Sequence, residues 1–99
     1  MKAIEIITSP KTGKPLKKSQ LRVLATVDRL GYIIPGNGEV RTNPYSGAAC
    51  LLCPLAVALY DFITTQNYCC GRDYTRTDWD NARYLFLELW PDEYYKLID

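Results

Sequence analysis

Four cysteines are the side chains in this sequence best suited to chemistry. Cys50 and Cys53 stand at Cys-x-x-Cys spacing, and the adjacent pair Cys69-Cys70 follows after fifteen intervening residues. Four thiolates are the number a tetrahedral structural zinc takes, and the first pair has ligand spacing. The second pair does not, because neighbouring side chains diverge and seldom close on one metal. A redox role for Cys50 and Cys53 calls for a helix opening after a strand within a parallel βαβ unit, and the surrounding sequence offers none. The cysteines therefore read as small free thiols at or near a core, with no metal and no cofactor assigned. Zinc held by Cys50, Cys53, Cys69 and Cys70 is the alternative.

No histidine occurs in the chain. That removes imidazole as metal ligand and general base, and with it every Ser–His or Cys–His nucleophile pair. Asp73, Asp78 and Asp80 cluster, but they lack the glycine and distal glutamate of a calcium loop, and helix capping accounts for the last two. The expectation is a protein that is not an enzyme.

Binding chemistry is better represented. Tyr68, Arg72, Tyr74, Arg76, Trp79 and Arg83 interleave arginine with aromatic rings, the residue types enriched at protein interfaces and able to stack on nucleotide bases. Tyr45 stands at the tip of a tight turn, Asn43-Pro44-Tyr45-Ser46-Gly47. Tyr45, Tyr68, Arg72, Tyr74 and Arg76 are the contact residues this pattern selects. A basic loop, Lys11 to Lys18, offers lysine charges to a phosphate but has no glycine-rich cradle.

These residues need elements to hold them. The run from Cys50 to Ile63 is apolar apart from Asp61, and at helical spacing Leu52, Leu55, Ala56, Leu59 and Ile63 share a face. Pro54 suits the first helical position, where its missing N–H costs nothing, so a buried central helix is predicted over about 54–66. Asp61 is expected on its one polar stripe. An earlier helix is predicted from Gln20 to Leu30 with Ser19 as N-cap and Gly31 ending it. A third is capped by Thr77 or Asp78 and carries the stripe Trp79, Ala82, Leu85, Phe86, Leu89 and Trp90. Pro91 stops it and opens a short last helix. Lys2–Thr8, Tyr32–Ile34 and Glu39–Thr42 read as three short strands of an antiparallel sheet, the latter two joined by Pro35-Gly36-Asn37-Gly38. The fold class is α+β, a small antiparallel sheet from the N-terminal half packed with two or three helices, in a single domain over residues 1–99.

The chain has 47 % apolar and 23 % charged residues, the composition of a globular protein. Its net charge of +1 argues against a nucleic-acid binder. The charge is uneven: up to Arg41 there are eight basic and three acidic residues, a net of +5, and from Thr42 onward four basic and eight acidic, a net of −4. Such a dipole suits head-to-tail self-association into a homo-oligomer, or internal pairing of the two halves. The first residues do not open a secretory signal, and no segment approaches the ~20 apolar residues of a membrane span. An intracellular protein with no membrane contact and reduced thiols is expected.

Three stretches carry a resemblance: Asn43-Pro44-Tyr45-Ser46-Gly47; Leu52-x-Pro54-Leu55-Ala56-Val57-Ala58-Leu59-Tyr60-Asp61-Phe62-Ile63; and the terminal Pro91-x-Glu93-Tyr94-Tyr95-x-Leu97-Ile98-Asp99. Over roughly the last half of the chain, these resemble small uncharacterised proteins of tailed bacteriophages. The resemblance implies a phage origin and a place in the bacterial host cytoplasm, and it transfers no functional residue. The expectation that follows is a non-enzymatic protein that engages a host protein or blocks a host defence system. The alternatives are an oligomer that sequesters a nucleotide signal and a virion or structural component.

Overall fold

The computed structural model describes residues 13–65 and 74–98. They form four helices and one two-stranded antiparallel sheet in the order α1 (Lys18–Arg29), β1 (Glu39–Thr42), β2 (Ala49–Leu52), α2 (Pro54–Thr65), α3 (Arg76–Leu89) and α4 (Pro91–Leu97). This is a small α+β arrangement. Among the described residues, no helix is long and apolar enough to cross a membrane.

Helix α2 is the centre of the core. Eight of its twelve residues are buried, including Leu55, Leu59, Phe62 and Ile63. A helix apolar nearly all round needs neighbours on most sides, and α1, α3 and both strands pack on it. Phe62 sits between two tyrosines in edge-to-face geometry, with ring centroids 5.9 Å from Tyr32 and 5.7 Å from Tyr74. On the far side of the core, Phe86 of α3 stacks near Tyr60, Trp90 and Tyr94.

Local signals fix most helix ends. Helix α1 closes with a Schellman motif: Tyr32 N–H donates to Val27 O at 3.2 Å and Gly31 N–H to Asp28 O at 3.1 Å. Gly31 takes φ +90°, the left-handed conformation that motif requires. Pro54 and Pro91 open α2 and α4 at positions where no backbone donor is lost.

Four expectations need correction. Helix α1 begins at Lys18 with Lys17 as N-cap, two residues ahead of the predicted start; the Gln20 side chain reaches back to accept from the Lys17 N–H at 3.0 Å, which favours the earlier start over one capped by Ser19. Helix α3 is capped by Thr75, not Thr77 or Asp78. The Thr75 hydroxyl accepts from Asp78 N–H at 3.1 Å while the Asp78 carboxylate accepts from Thr75 N–H at 3.0 Å, a reciprocal capping box. Tyr32–Ile34 is not a strand, because Tyr32 completes the helix cap. The partner of β1 is instead β2, in the register Glu39↔Leu52 to Thr42↔Ala49. All of β2 but Ala49 belongs to the apolar run that begins at Cys50, in which helical spacing places Leu52 on the face of the central helix. A short apolar run does not distinguish strand from helix, and only Cys53, which precedes proline and is biased toward extended backbone, hinted at the break. The predicted strand Lys2–Thr8 lies outside the described residues.

Candidate functional site

The β1–β2 connection, residues 43–48, is a hairpin loop that contains the predicted Asn43–Gly47 turn. Asn43 N–H donates to Ala48 O at 2.7 Å and Gly47 N–H to Asn43 O at 2.9 Å, with Gly47 at φ +79°. The Asn43 side chain, almost fully buried, organises the loop. Its Oδ1 accepts from Tyr45 N–H at 2.8 Å and Ser46 N–H at 3.3 Å, and its Nδ2 donates to Lys96 O at 3.1 Å, at the end of α4. The asparagine thus sets the loop conformation and fastens it to a distant helix. Tyr45 projects from this clamped loop with 97 % of its surface exposed, although a ring of that size ordinarily gains by burial.

Below Tyr45 lies an open groove of about 820 Å³, within the ~300–1,000 Å³ usual for ligand sites. Four elements build it: the hairpin loop gives Tyr45, α2 gives Tyr60, α3 gives Trp79 and Arg83, and α4 gives Tyr94 and Leu97. Trp79 donates its indole N–H to Ile63 O at 3.1 Å, which fixes the ring on the α2 backbone. The Arg83 guanidinium stands 4.9 Å from the Trp79 ring centroid, a cation–π contact, and donates to the Tyr94 hydroxyl at 3.0 Å. Asp80 approaches Arg83 at 3.7 Å and Arg76 at 3.6 Å. The Tyr94 hydroxyl, and then the nearby Asp80 carboxylate, hold Arg83 firmly in its charged form. Burial raises the Tyr60 phenol above its ordinary value, with the Asp61 charge adding to the shift.

The predicted contact residues separate. Tyr45 is fully exposed over the groove. Arg76 lies on the exposed first turn of α3, paired with Asp80 one turn on. Tyr74 is a core residue, buried against Phe62, so its side chain is not available as a surface contact. The ring's packing partners, Phe62 and the rest of the core, are remote in sequence, and the interleaved pattern gave no sign of them. Tyr68 and Arg72 lie outside the described residues. Trp79 and Arg83, part of the same sequence pattern, meet Tyr45 at the groove; Tyr60 and Tyr94 had only the abundance of tyrosine to mark them.

Asp61 is half-buried, and it is paired. Arg41 of β1 donates to it twice, Nε to Oδ1 at 2.9 Å and Nη2 to Oδ2 at 3.0 Å. The Arg22 Nε also reaches the buried Asp78 carboxylate, at 3.2 Å. It does so as a charge contact without hydrogen-bond alignment, since Oδ1 of Asp78 has no hydrogen-bond partner. Both pairs join the basic first part of the chain to the acidic second part. Among the described residues, the charge asymmetry is thus partly consumed internally.

Cys50 on β2 and Cys53 before α2 are free thiols, half-exposed and exposed. Cys69 and Cys70 lie outside the described residues. No cluster of three or more metal-ligating side chains occurs among the described residues.

Comparison of the chain with protein-family models, curated proteins and solved structures finds no match. The geometry of the groove therefore carries the functional argument alone.

Proposed function

We propose that this chain is a non-enzymatic binding protein of bacteriophage type that acts in the host cytoplasm by engaging a host protein, as an inhibitor of a host defence system would. One observation carries the reading: Tyr45, wholly exposed on a loop fixed by Asn43, overhangs an aromatic groove that contains Arg83. Tyrosine, tryptophan and arginine dominate binding hot spots, because each combines large contact area with a polar or charged tip. A rigid loop also loses little conformational freedom on binding, which leaves more of the contact energy as affinity.

Affinity capture from a bacterial lysate tests it, with the wild-type chain and Tyr45→Ala as parallel baits. Tyr45 has almost no packing to lose, so the variant keeps the wild-type circular dichroism and melting temperature. A defined host protein held by the wild type and lost from the variant is the expected result. Equal retention by both, or nothing retained by the wild type, removes this surface from consideration.

A further inference from the structure

The polar groups lining the groove are sharply asymmetric in what they can still bond. Asn43 is saturated by the loop and by Lys96 O. The Thr64 hydroxyl donates to Tyr60 O at 2.9 Å, and the Ser46 hydroxyl accepts from Ala48 N–H at 3.2 Å. What remains is a set of donors. Arg83 has guanidinium N–H groups beyond the one given to Tyr94. The Tyr94 hydroxyl accepts from Arg83, which leaves its own hydrogen to give. Among the described residues, the Tyr60 hydroxyl engages no hydrogen-bond partner, and burial keeps it protonated and therefore a donor at neutral pH. Arg83 is the one charged side chain among the described residues lining the groove. The remaining walls are mostly apolar, from Trp79, Ile63 and Leu97, and they raise the strength of any charge contact made against them.

We infer that this groove is a docking site for an acidic peptide segment of a partner protein, with a carboxylate received by Arg83 and the two tyrosine hydroxyls and a neighbouring apolar or aromatic side chain packed against Trp79 and Tyr45. The inference rests on the binding-protein reading above and adds to it the chemistry of the occupant. Converging donors match a carboxylate, and the planar guanidinium suits its geometry. Charge number separates a carboxylate from a nucleotide. Arg83 supplies one positive charge, and Asp80, 3.7 Å away, already offsets part of it. What remains is at most the charge of a single carboxylate, and it falls well short of a phosphate monoester with nearly two negative charges or a polyphosphate with more.

The test uses the isotopically labelled full chain, followed by amide and indole resonances. Three probes are titrated: a blocked peptide with phenylalanine beside glutamate, the same peptide with glutamine in place of glutamate, and adenosine monophosphate. The expected result is movement of the Trp79 indole and Tyr45 amide signals, with the glutamate peptide bound about tenfold more tightly than the glutamine peptide. Arg83→Gln brings that ratio close to one, and Arg83→Lys retains part of it because the charge stays while the planar fork is lost. Equal affinity of the two peptides, no movement at millimolar peptide, or tighter binding of adenosine monophosphate overturns the inference. The wild-type comparison needs no variant, so a folding defect in Arg83→Gln leaves it decisive. If a host protein is lost from Tyr45→Ala while the peptides bind equally, the binding-protein reading stands and the carboxylate falls. A carboxylate preference with nothing captured from lysate removes the host-protein reading and leaves the groove chemistry in place.

Discussion

Arg41 on the first strand grips Asp61 on the central helix through two parallel hydrogen bonds, of 2.9 and 3.0 Å. The same guanidinium donates to Glu39 at 3.1 Å and to the Val40 carbonyl at 3.2 Å, so it is held from both ends. The Asp61 contact, followed by that with Glu39, raises the affinity of Arg41 for its proton well above the ordinary value. The pair spans the one charge on α2 and the strand that carries the hairpin, and it thereby fixes the orientation of the loop bearing Tyr45.

The pair is about two-thirds to three-quarters shielded from water, so solvent screening tempers its worth. A double-mutant cycle with Arg41→Ala and Asp61→Ala, read by denaturant unfolding, is expected to give a coupling of about 1 kcal/mol. Raising the salt concentration should reduce this value only modestly, because the geometry is bidentate and partly buried.

The start of α3 supplies a comparison between two threonines. Thr75 exchanges both of its bonds with Asp78, while Thr77 is exposed within the first turn. Thr75→Ala is expected to cost about 1 kcal/mol, and Thr77→Ala to stay within about 0.5 kcal/mol of the wild type. Equal losses at the two positions, measured by urea unfolding, would contradict Thr75 as the cap.

Gly38 and Gly36 form another such pair, in the loop before β1. A Cβ at Gly38 would stand 2.6 Å from the Leu52 carbonyl oxygen, a backbone atom that has little freedom to retreat, whereas one at Gly36 would meet nothing within 4 Å. Gly38→Ala should therefore lower stability by about 1–3 kcal/mol through forced displacement of the strand end. Gly36→Ala should be neutral or stabilising by up to about 1 kcal/mol, since it narrows the unfolded ensemble.

Tyr60 sets a pH dependence. Its phenol is raised above the reference value of 10.0, first by burial and then by the Asp61 charge. The folded state therefore holds this proton more tightly than the unfolded chain does. The stability that results is present in full below about pH 10 and is lost as the pH climbs through the folded-state value. Tyr60→Phe, which keeps the ring, is expected to show a shallower fall in melting temperature above about pH 10 than the wild type, with little difference at neutral pH. Parallel curves for the two proteins would contradict it.

Helix ends were the most readable part of the chain where a single residue's backbone geometry fixes them. Pro54, Pro91 and Gly31 each act through their own φ or missing N–H, and each stands where the sequence placed it. The asparagine of the Asn43–Gly47 turn was visible as turn chemistry for the same reason. Its second task, donating to Lys96 O, was not, because that carbonyl lies 53 residues away. The binding pattern was legible in composition and less so in position: exposed Tyr45 and buried Tyr74 are the same residue type in similar polar stretches, and burial separates them.

The sequence by itself determined that α2 is a buried helix beginning at Pro54, that α3 presents an apolar stripe, and that Gly31 ends α1. Those outcomes follow from periodicity and from backbone constraints spanning a few residues. Tertiary structure alone decided that residues 49–52 pair with β1, that Asp61 belongs to Arg41, and that Trp79, Arg83 and Tyr94 meet beneath Tyr45. Each of these depends on which distant surfaces bury one another, and the free energy that selects them comes from contacts formed only once the chain has folded.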